Sequence, residues 1–240
     1  MANNLYASLL PMFSGPQVSI RIGDDGPTHK VSKDLICKQS PYFAAMFNGN
    51  FKEGETQETI LTETYGIVSN SSLQSLIQYL YRGKVAFTLQ LSSKDELWKA
   101  IEFARFGDMI GIHGISVDMA SHIKSVICNS TITPFSTDLP TNVKSKAGIL
   151  CKYVTSGHIV AAMELPPRNA VRDMIVAATV EGYMRCKQFK FRADAEEVPA
   201  YAADLLRAVR VALTTAIGSE TSALFTDPVT ETIVRFGENC

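Results

Sequence analysis

The chain has 240 residues, of which 46% are hydrophobic and 20% are charged. These fractions are typical of a globular protein and exclude an intrinsically disordered chain. Because 23 Lys and Arg stand against 24 Asp and Glu, the net charge is −1, which excludes a chain-wide basic surface for nucleic acid. No apolar run reaches the ~20 residues of a membrane span, and the N-terminus lacks the positive region of a signal peptide. We therefore expect an intracellular protein that binds neither nucleic acid nor membrane.

The cysteines also indicate an intracellular protein. The chain has five, an odd number, and they form no C-x-x-C pair: Cys37, Cys128, Cys151, Cys186 and Cys240. Sparse cysteines without an export signal predict reduced thiols in the cytoplasm or nucleus.

The first elements predicted along the chain are a strand hairpin and two helices. Residues 18–22 alternate apolar and polar side chains, a turn follows at 23–27, and residues 28–31 return as a second strand. Ser32 is placed to cap one helix, and the pair Ser40-Pro41 is typical of the start of another.

The next segments add a short strand and the clearest helix of the chain. Asn48-Gly49-Asn50 predicts a left-handed helix end, residues 51–59 read as a loop, and residues 60–61 open a third strand. A helix then starts at Asn70 or Ser71 and stops at Gly83. Its apolar residues recur at helical spacing: Leu73, Leu76, Ile77, Leu80 and Tyr81.

Two more helices precede a change in composition. Ser93-x-x-Glu96 predicts a capping box ahead of a helical face, and residues 112–128 form one more amphipathic helix. Residues 129–145 are rich in Ser, Thr, Asn and Pro, which predicts a linker. Beyond it the pattern is helical only, with two apolar stripes: Val171, Met174, Ile175 and Ala178, then Ala202, Leu205, Leu206, Val209 and Leu213.

Motifs for chemistry are mostly absent. The sequence has no phosphate-binding loop and no nucleophile elbow. His113, His122 and Cys128 have a spacing that matches no common zinc site, and a Cys151–His158 catalytic pair lacks a third, orienting group. We therefore expect no metal, no cofactor and no catalytic residue. Two classes stay open: a protein-interaction module and an enzyme of unrecognised type.

Several of these motifs together resemble the BTB/POZ domain. The family has a strand, a His followed by an aliphatic residue and a Leu, and then Ser-x-x-Phe; residues 29–36 and 40–47 match this order. Residues 76–85 are similar to the family helix that ends in Tyr-x-Gly, and residues 96–109 are similar to the next helix. The second half, notably residues 158–167 and 198–206, resembles the C-terminal region of short BTB proteins of filamentous fungi.

The resemblance implies a fold and a domain organisation. The fold class is α+β: a BTB/POZ domain, with a small sheet and a helical cluster, followed by an all-helical C-terminal extension. The expected divisions are an N-terminal segment at 1–15, the BTB/POZ domain at 16–127, a linker at 128–147 and the helical region at 148–240.

The resemblance also implies partners. BTB domains are interaction modules that often homodimerise, and many bring substrate proteins to cullin-3 ubiquitin ligases. We therefore expect an adaptor that binds itself, cullin-3 and a substrate protein; a scaffold or transcription-linked assembly factor without cullin contact is the alternative. At Gln17 the chain departs from the family, which often has an Asp of a dimer-interface pocket there.

Two sets of residues are the predicted contacts. Cullin-3-binding BTB domains carry a hydrophobic-x-Glu motif after the Ser-x-x-Phe helix, and Phe51 and Glu53 match it in type and place. Family members often use an N-terminal helix for dimerisation. Ahead of the first strand, four apolar residues stand at helical spacing as dimer candidates: Tyr6, Leu9, Leu10 and Phe13.

Overall fold

A computed structural model describes residues 15–87, 91–129, 151–215, 217–219 and 222–235. The chain divides into two compact units, one of residues 1–88 with 102–118 and one of residues 89–101 with 119–240. Within the described ranges, no helix is long and apolar enough to cross a membrane.

The first unit is built on a three-stranded sheet. β1 (Gln17–Ile22) lies between β2 (His29–Ser32), with which it pairs antiparallel, and β3 (Glu58–Leu61), with which it pairs in parallel. The predicted alternation in β1 is confirmed, because Val18, Ile20 and Ile22 are buried and the residues between them are not. The sheet therefore buries one face and leaves the other accessible.

Two helices begin at the serines that the sequence singled out. α1 (Lys33–Gln39) starts after Ser32, and α2 (Pro41–Asn48) starts after Ser40. Each serine hydroxyl accepts a hydrogen bond from a backbone N–H of the first turn, as a helix cap does. The Ser40 hydroxyl also donates to the carbonyl of Ile110 at 2.6 Å, so this cap ties the start of α2 to a distant part of the unit.

The segment after α2 differs from the prediction. α2 ends at Gly49 with an extended backbone, φ −79° and ψ 174°, so the expected left-handed helix end is wrong. The predicted loop at 51–59 is also wrong, because α3 (Lys52–Thr56) is a short helix and β3 already begins at Glu58. The left-handed residue of this segment is instead Gln57, which ends α3 with φ 56°.

The helix that the sequence indicated most clearly is α4 (Asn70–Arg82). It begins at Asn70, one of the two predicted starts, and its cap is Ser69, whose side chain forms a capping box with that of Ser72. Gly83 ends it with φ 68°, the left-handed conformation that favours glycine. Three of the predicted stripe residues, Leu73, Leu76 and Leu80, are buried, but Tyr81 at the end of the stripe is 36% exposed.

The next two helices contribute residues to both units. α5 (Ser93–Met109) is capped by Ser92, whose hydroxyl accepts a hydrogen bond from the Asp95 N–H at 3.3 Å. The cap therefore lies one residue before the predicted Ser93. The Glu96 carboxylate contacts His122 Nε2 on α6 (Gly114–Asn129) at 2.9 Å. The first two residues of the expected linker, 128 and 129, complete α6; residues 130–147 lie outside the described residues.

The second unit is mainly helical. It contains α7 (Ser156–Met163), α8 (Ala170–Arg185), α9 (Arg192–Glu197) and α10 (Pro199–Thr214), as well as parts of α5 and α6. The expectation of an all-helical extension is wrong in one respect. Three short strands, β4 (Ile217–Ser219), β5 (Ser222–Thr226) and β6 (Ile233–Arg235), form an antiparallel sheet. They are too short to show a reliable alternating pattern.

The face that α10 buries also differs from the prediction. Tyr201, Leu205 and Ala212 are buried, whereas Leu206 and Leu213 of the predicted stripe are 59% and 48% exposed. The helix carries apolar side chains over more than one face, and helical spacing alone does not decide which face packs against the core.

The second unit contains a buried ion pair. Arg172 on α8 and Asp204 on α10 form a buried ion pair, with 2.6 Å between Nε and Oδ2. The Arg172 guanidinium also donates to the carbonyls of Met163 and Leu165. This contact joins α8 and α10 to the chain that follows α7.

The cysteines are not all in the expected state. Cys37, Cys128 and Cys151 are reduced thiols, as predicted, but Cys186 at the end of α8 is disulfide-bonded. The expectation of reduced thiols is therefore wrong for Cys186.

Candidate partner-binding site

The Phe51 side chain is exposed at the junction of α2 and α3. Phe51 is 62% exposed although it is a large apolar residue. Its backbone carbonyl accepts hydrogen bonds from the N–H groups of Gly54, at 2.9 Å, and Glu55, at 3.3 Å. Phe51 is therefore the N-cap residue of α3, and no side chain caps this helix. We call residues 49–57 the docking turn.

Two glycines allow the docking turn to fold back on α2. A Cβ atom on Gly54 would lie 2.2 Å from the carbonyl oxygen of Gly49, which no side chain tolerates. A Cβ on Gly49 would lie 2.4 Å from the Ala45 carbonyl oxygen and 3.0 Å from the Phe51 ring. The Phe51 ring thus lies beside Gly49, while most of the Phe51 side chain stays exposed.

The carbonyl at the end of α2 is held by two side chains. Lys33 Nζ donates to the Phe47 carbonyl at 3.0 Å, and Gln57 Nε2 donates to the same carbonyl at 3.2 Å. Gln57 Nε2 also donates to the Gly54 carbonyl, and the Gln57 backbone N–H donates to the Glu53 carbonyl. The end of α2 and the whole of α3 are therefore linked through Gln57.

Tyr42 belongs to the same surface and was not predicted as a site residue. It lies in the first turn of α2, is 37% exposed, and its ring meets the buried Phe43 ring edge-on at 5.2 Å. Burial and, to a lesser extent, the nearby Glu53 carboxylate raise the pKa of the Tyr42 phenol. The sequence did contain a signal for Tyr42 as a surface residue: it is aromatic, but it lies outside the helical face of α2 that Phe43 and Phe47 bury.

The arrangement offers an apolar anchor beside a carboxylate. Phe51 and Tyr42 supply aromatic surface, and Glu53, which is half-buried, supplies one negative charge. Exposed aromatic side chains of this kind are typical anchors of protein interfaces. A neighbouring carboxylate fixes the orientation of a partner through a charge-assisted hydrogen bond.

The four dimer candidates lie outside the described residues. Tyr6, Leu9, Leu10 and Phe13 all precede residue 15, at which the description begins. Gln17, where the family often has Asp, is the exposed first residue of β1.

Cys151 and His158, which the sequence analysis considered as a catalytic pair, are both buried. Burial raises the pKa of the Cys151 thiol, which disfavours the thiolate that a nucleophile needs. Burial lowers the pKa of His158, whose Nδ1 accepts from the Thr155 N–H at 3.2 Å in the cap of α7. In the part of the chain that the structure describes, no cluster of three or more His, Cys, Asp or Glu side chains is arranged to hold a metal ion.

Comparison with known proteins identifies the first part of the chain. Residues 16–110 match the BTB/POZ domain, so this part of the chain is a BTB/POZ domain, which is a protein-interaction module. A stretch of 69 residues is 35% identical to Kelch-like protein 28 of Homo sapiens. It covers 28% of the chain and 11% of that relative, so the similarity concerns only a small part of the relative. The predicted BTB/POZ fold is confirmed, and the likeness of the second half to fungal proteins stays a prediction.

Proposed function

We propose that this protein is a substrate adaptor of a cullin-3 ubiquitin ligase, and that Phe51 and Glu53 contact the cullin. The observation that carries the proposal is the exposure of Phe51, 62%, on a BTB/POZ domain, directly after the Ser-x-x-Phe helix α2. Hydrophobic-x-Glu is the motif that cullin-3-binding members of the family have at this place.

The energetics of the docking turn favour binding over folding as the role of Phe51. A phenyl ring that packed into its own domain would be buried, as Phe43 and Phe47 are. An exposed ring contributes little to folding, but it gains hydrophobic free energy when a partner covers it. Glu53 lies two residues further along, where its carboxylate orients the partner.

Removal of the Phe51 ring should weaken cullin binding without destabilising the fold. We expect Phe51→Ala to reduce the affinity for the N-terminal part of cullin-3 by ~2 kcal/mol or more, as loss of an anchoring aromatic does. The melting temperature should stay nearly constant. Isothermal titration calorimetry and a thermal melt measure the two quantities.

The matched control is Tyr65→Ala, because Tyr65 is an aromatic residue of the same unit that is 88% exposed. It should bind as the wild type does. Equal binding by the wild type and a Phe51→Ala, Glu53→Ala double variant would contradict the assignment. No binding by the wild type at tens of micromolar would favour the alternative, a BTB scaffold or transcription-linked assembly factor without cullin contact.

The proposal includes a homodimer that uses Tyr6, Leu9, Leu10 and Phe13. Their spacing supports an amphipathic helix whose apolar face pairs with a second copy. We expect the full chain to have the mass of a dimer in multi-angle light scattering, and a chain that starts at Ser14 to have the mass of a monomer. A monomeric full chain would contradict the homodimer.

An adaptor also needs a substrate protein. Affinity capture with the full chain, followed by mass spectrometry, should recover cullin-3 together with a second protein. Phe51→Ala should lose the cullin and keep the second protein. An enzyme is the remote alternative, which detection of a reaction by the purified chain would favour.

A further inference from the structure

We propose that Gln57 is a positioning residue of the docking turn, and that it holds Phe51 and Glu53 in the orientation in which they contact a partner. The inference deepens the proposed cullin contact and rests on it. Gln57 is outside the hydrophobic-x-Glu motif and is itself only partly accessible.

The docking turn needs such a residue because α3 is not stable by itself. α3 has five residues, and helices of this length do not form in isolation. It also lacks a side-chain bond at its N-cap, and Gly54 within it, like Gly49 before it, favours the unfolded chain. Something other than local propensity must keep α3 folded.

Gln57 supplies the missing contacts from the other end of the helix. Its side-chain amide donates to the Phe47 carbonyl at the end of α2 and to the Gly54 carbonyl within α3. Its backbone N–H donates to the Glu53 carbonyl at 2.9 Å. One residue thus fastens α3 onto α2, and the two residues proposed as contacts lie between the points that it joins.

These contacts come at a local cost. Gln57 adopts a left-handed backbone with φ 56°, which a residue with a side chain seldom does. Its amide oxygen is buried and accepts no hydrogen bond from the described residues. Conformations with such costs persist where the surrounding structure enforces them, and they are concentrated at functional sites. The role of the Gln57 side-chain amide is therefore to donate its two N–H groups to the Phe47 and Gly54 carbonyls.

The consequence for binding is preorganisation. If the turn were mobile, a partner would have to order Phe51 and Glu53 on contact, and the affinity would fall by the ordering cost. With Gln57 in place, Phe51 and Glu53 are already ordered in the free protein, so binding does not have to order them. Loss of the Gln57 side chain should therefore act through Phe51 and Glu53, so its effect on affinity should shrink when Phe51 has already been removed.

The test compares variants that separate the backbone from the donor. Gln57→Gly keeps the left-handed backbone and removes the amide, whereas Gln57→Asn keeps a neutral side-chain amide donor on a residue that tolerates the left-handed backbone. Gln78→Ala is the control, because the Gln78 side chain bonds to Ala86, away from the docking turn in sequence. Two quantities are measured on the full chain: hydrogen exchange of the Gly54 and Glu55 amides, and affinity for cullin-3 with and without Phe51→Ala.

For Gln57→Gly we expect several-fold faster exchange of the Gly54 and Glu55 amides and about 3–10-fold weaker cullin-3 binding. Gln57→Asn should change both by less than Gln57→Gly does, and Gln78→Ala should change neither. In the Phe51→Ala background, Gln57→Gly should weaken binding by a clearly smaller factor, because only Glu53 is left for Gln57 to position. A purely structural residue would not give this non-additivity.

Two results would overturn the inference: unchanged exchange in Gln57→Gly, or a loss of affinity that is the same with and without Phe51. Failure of the proposed function has a different signature. If the wild type does not bind cullin-3 while Gln57→Gly accelerates exchange, the docking role falls with the proposed function, and the ordering of the turn by Gln57 stands.

Discussion

Replacing Asp204 by Ala is expected to lower the free energy of unfolding by about 3–5 kcal/mol, because it leaves a buried guanidinium without its counter-charge. The Arg172 and Asp204 side chains are only 7% and 5% exposed, and their charged groups are 2.6 Å apart. Asp204 Oδ1 also accepts from Arg207 at 2.7 Å, so one substitution removes both interactions. Denaturant unfolding followed by circular dichroism measures the loss.

The second unit offers a matched control for this experiment. Arg192 and Glu196 form an ion pair of the same chemistry at 3.0 Å, but their side chains are 82% and 65% exposed. Glu196→Ala should therefore change the free energy of unfolding by ~0.5 kcal/mol or less. If Glu196→Ala and Asp204→Ala lower the free energy of unfolding equally, the buried pair contributes no more to stability than the exposed pair.

A double substitution separates the charge from the packing. Arg172→Met with Asp204→Leu removes both buried charges and keeps the apolar volume, so it should recover part of what Asp204→Ala loses. Recovery should be incomplete, because the carbonyls of Met163 and Leu165 lose the donor that Arg172 provides.

Local sequence signals predicted most of the BTB/POZ domain. The alternation in β1, the serine caps of α1 and α2, and the Gly83 end of α4 each depend on a few neighbouring residues, and each is found. Where a cap was displaced, as from Ser93 to Ser92, the error was one residue, since adjacent serines compete for the same role.

The elements that sequence reasoning missed depend on contacts that are distant in the chain. α3 contains Gly54 and has no side-chain bond at its N-cap, so its local signal is that of a loop. Hydrogen bonds from Gln57 to Phe47 and Gly54 hold it in place. α10 has apolar residues on two faces, and packing decides that Leu205 is buried and Leu206 exposed. Neither choice is encoded in residue spacing.

In the candidate site, too, sequence motifs predicted some residues, and others depend on contacts that only the structure shows. Phe51 and Glu53 were predicted from a motif and its place after α2, and the exposure of Phe51 agrees with that placement. Tyr42 and Gln57 could not be predicted, because their relation to the motif is spatial. Tyr42 approaches Glu53 from the first turn of α2, and Gln57 reaches back across the docking turn to Phe47.

Leu76 tests the core of the first unit. Leu76→Ala should lower the free energy of unfolding by about 2–5 kcal/mol, since it removes a fully buried side chain and leaves a cavity. We expect the upper half of this range because both ends of α4 are fixed. The Ser69 hydroxyl donates to Glu102 on α5, and the Tyr81 hydroxyl accepts from the Ser32 N–H at 2.9 Å.

A helix that is fixed at both ends cannot shift to fill the space that a smaller side chain leaves, so the cavity term persists in full. Leu76→Met, which nearly conserves volume, should cost less than ~1.5 kcal/mol. Gln74→Ala, at an exposed position of the same helix, should stay within ~0.5 kcal/mol of the wild type. If Leu76→Ala melts as the wild type does, α4 does not present this stripe to the core, and the burial that orders the BTB/POZ domain must lie elsewhere.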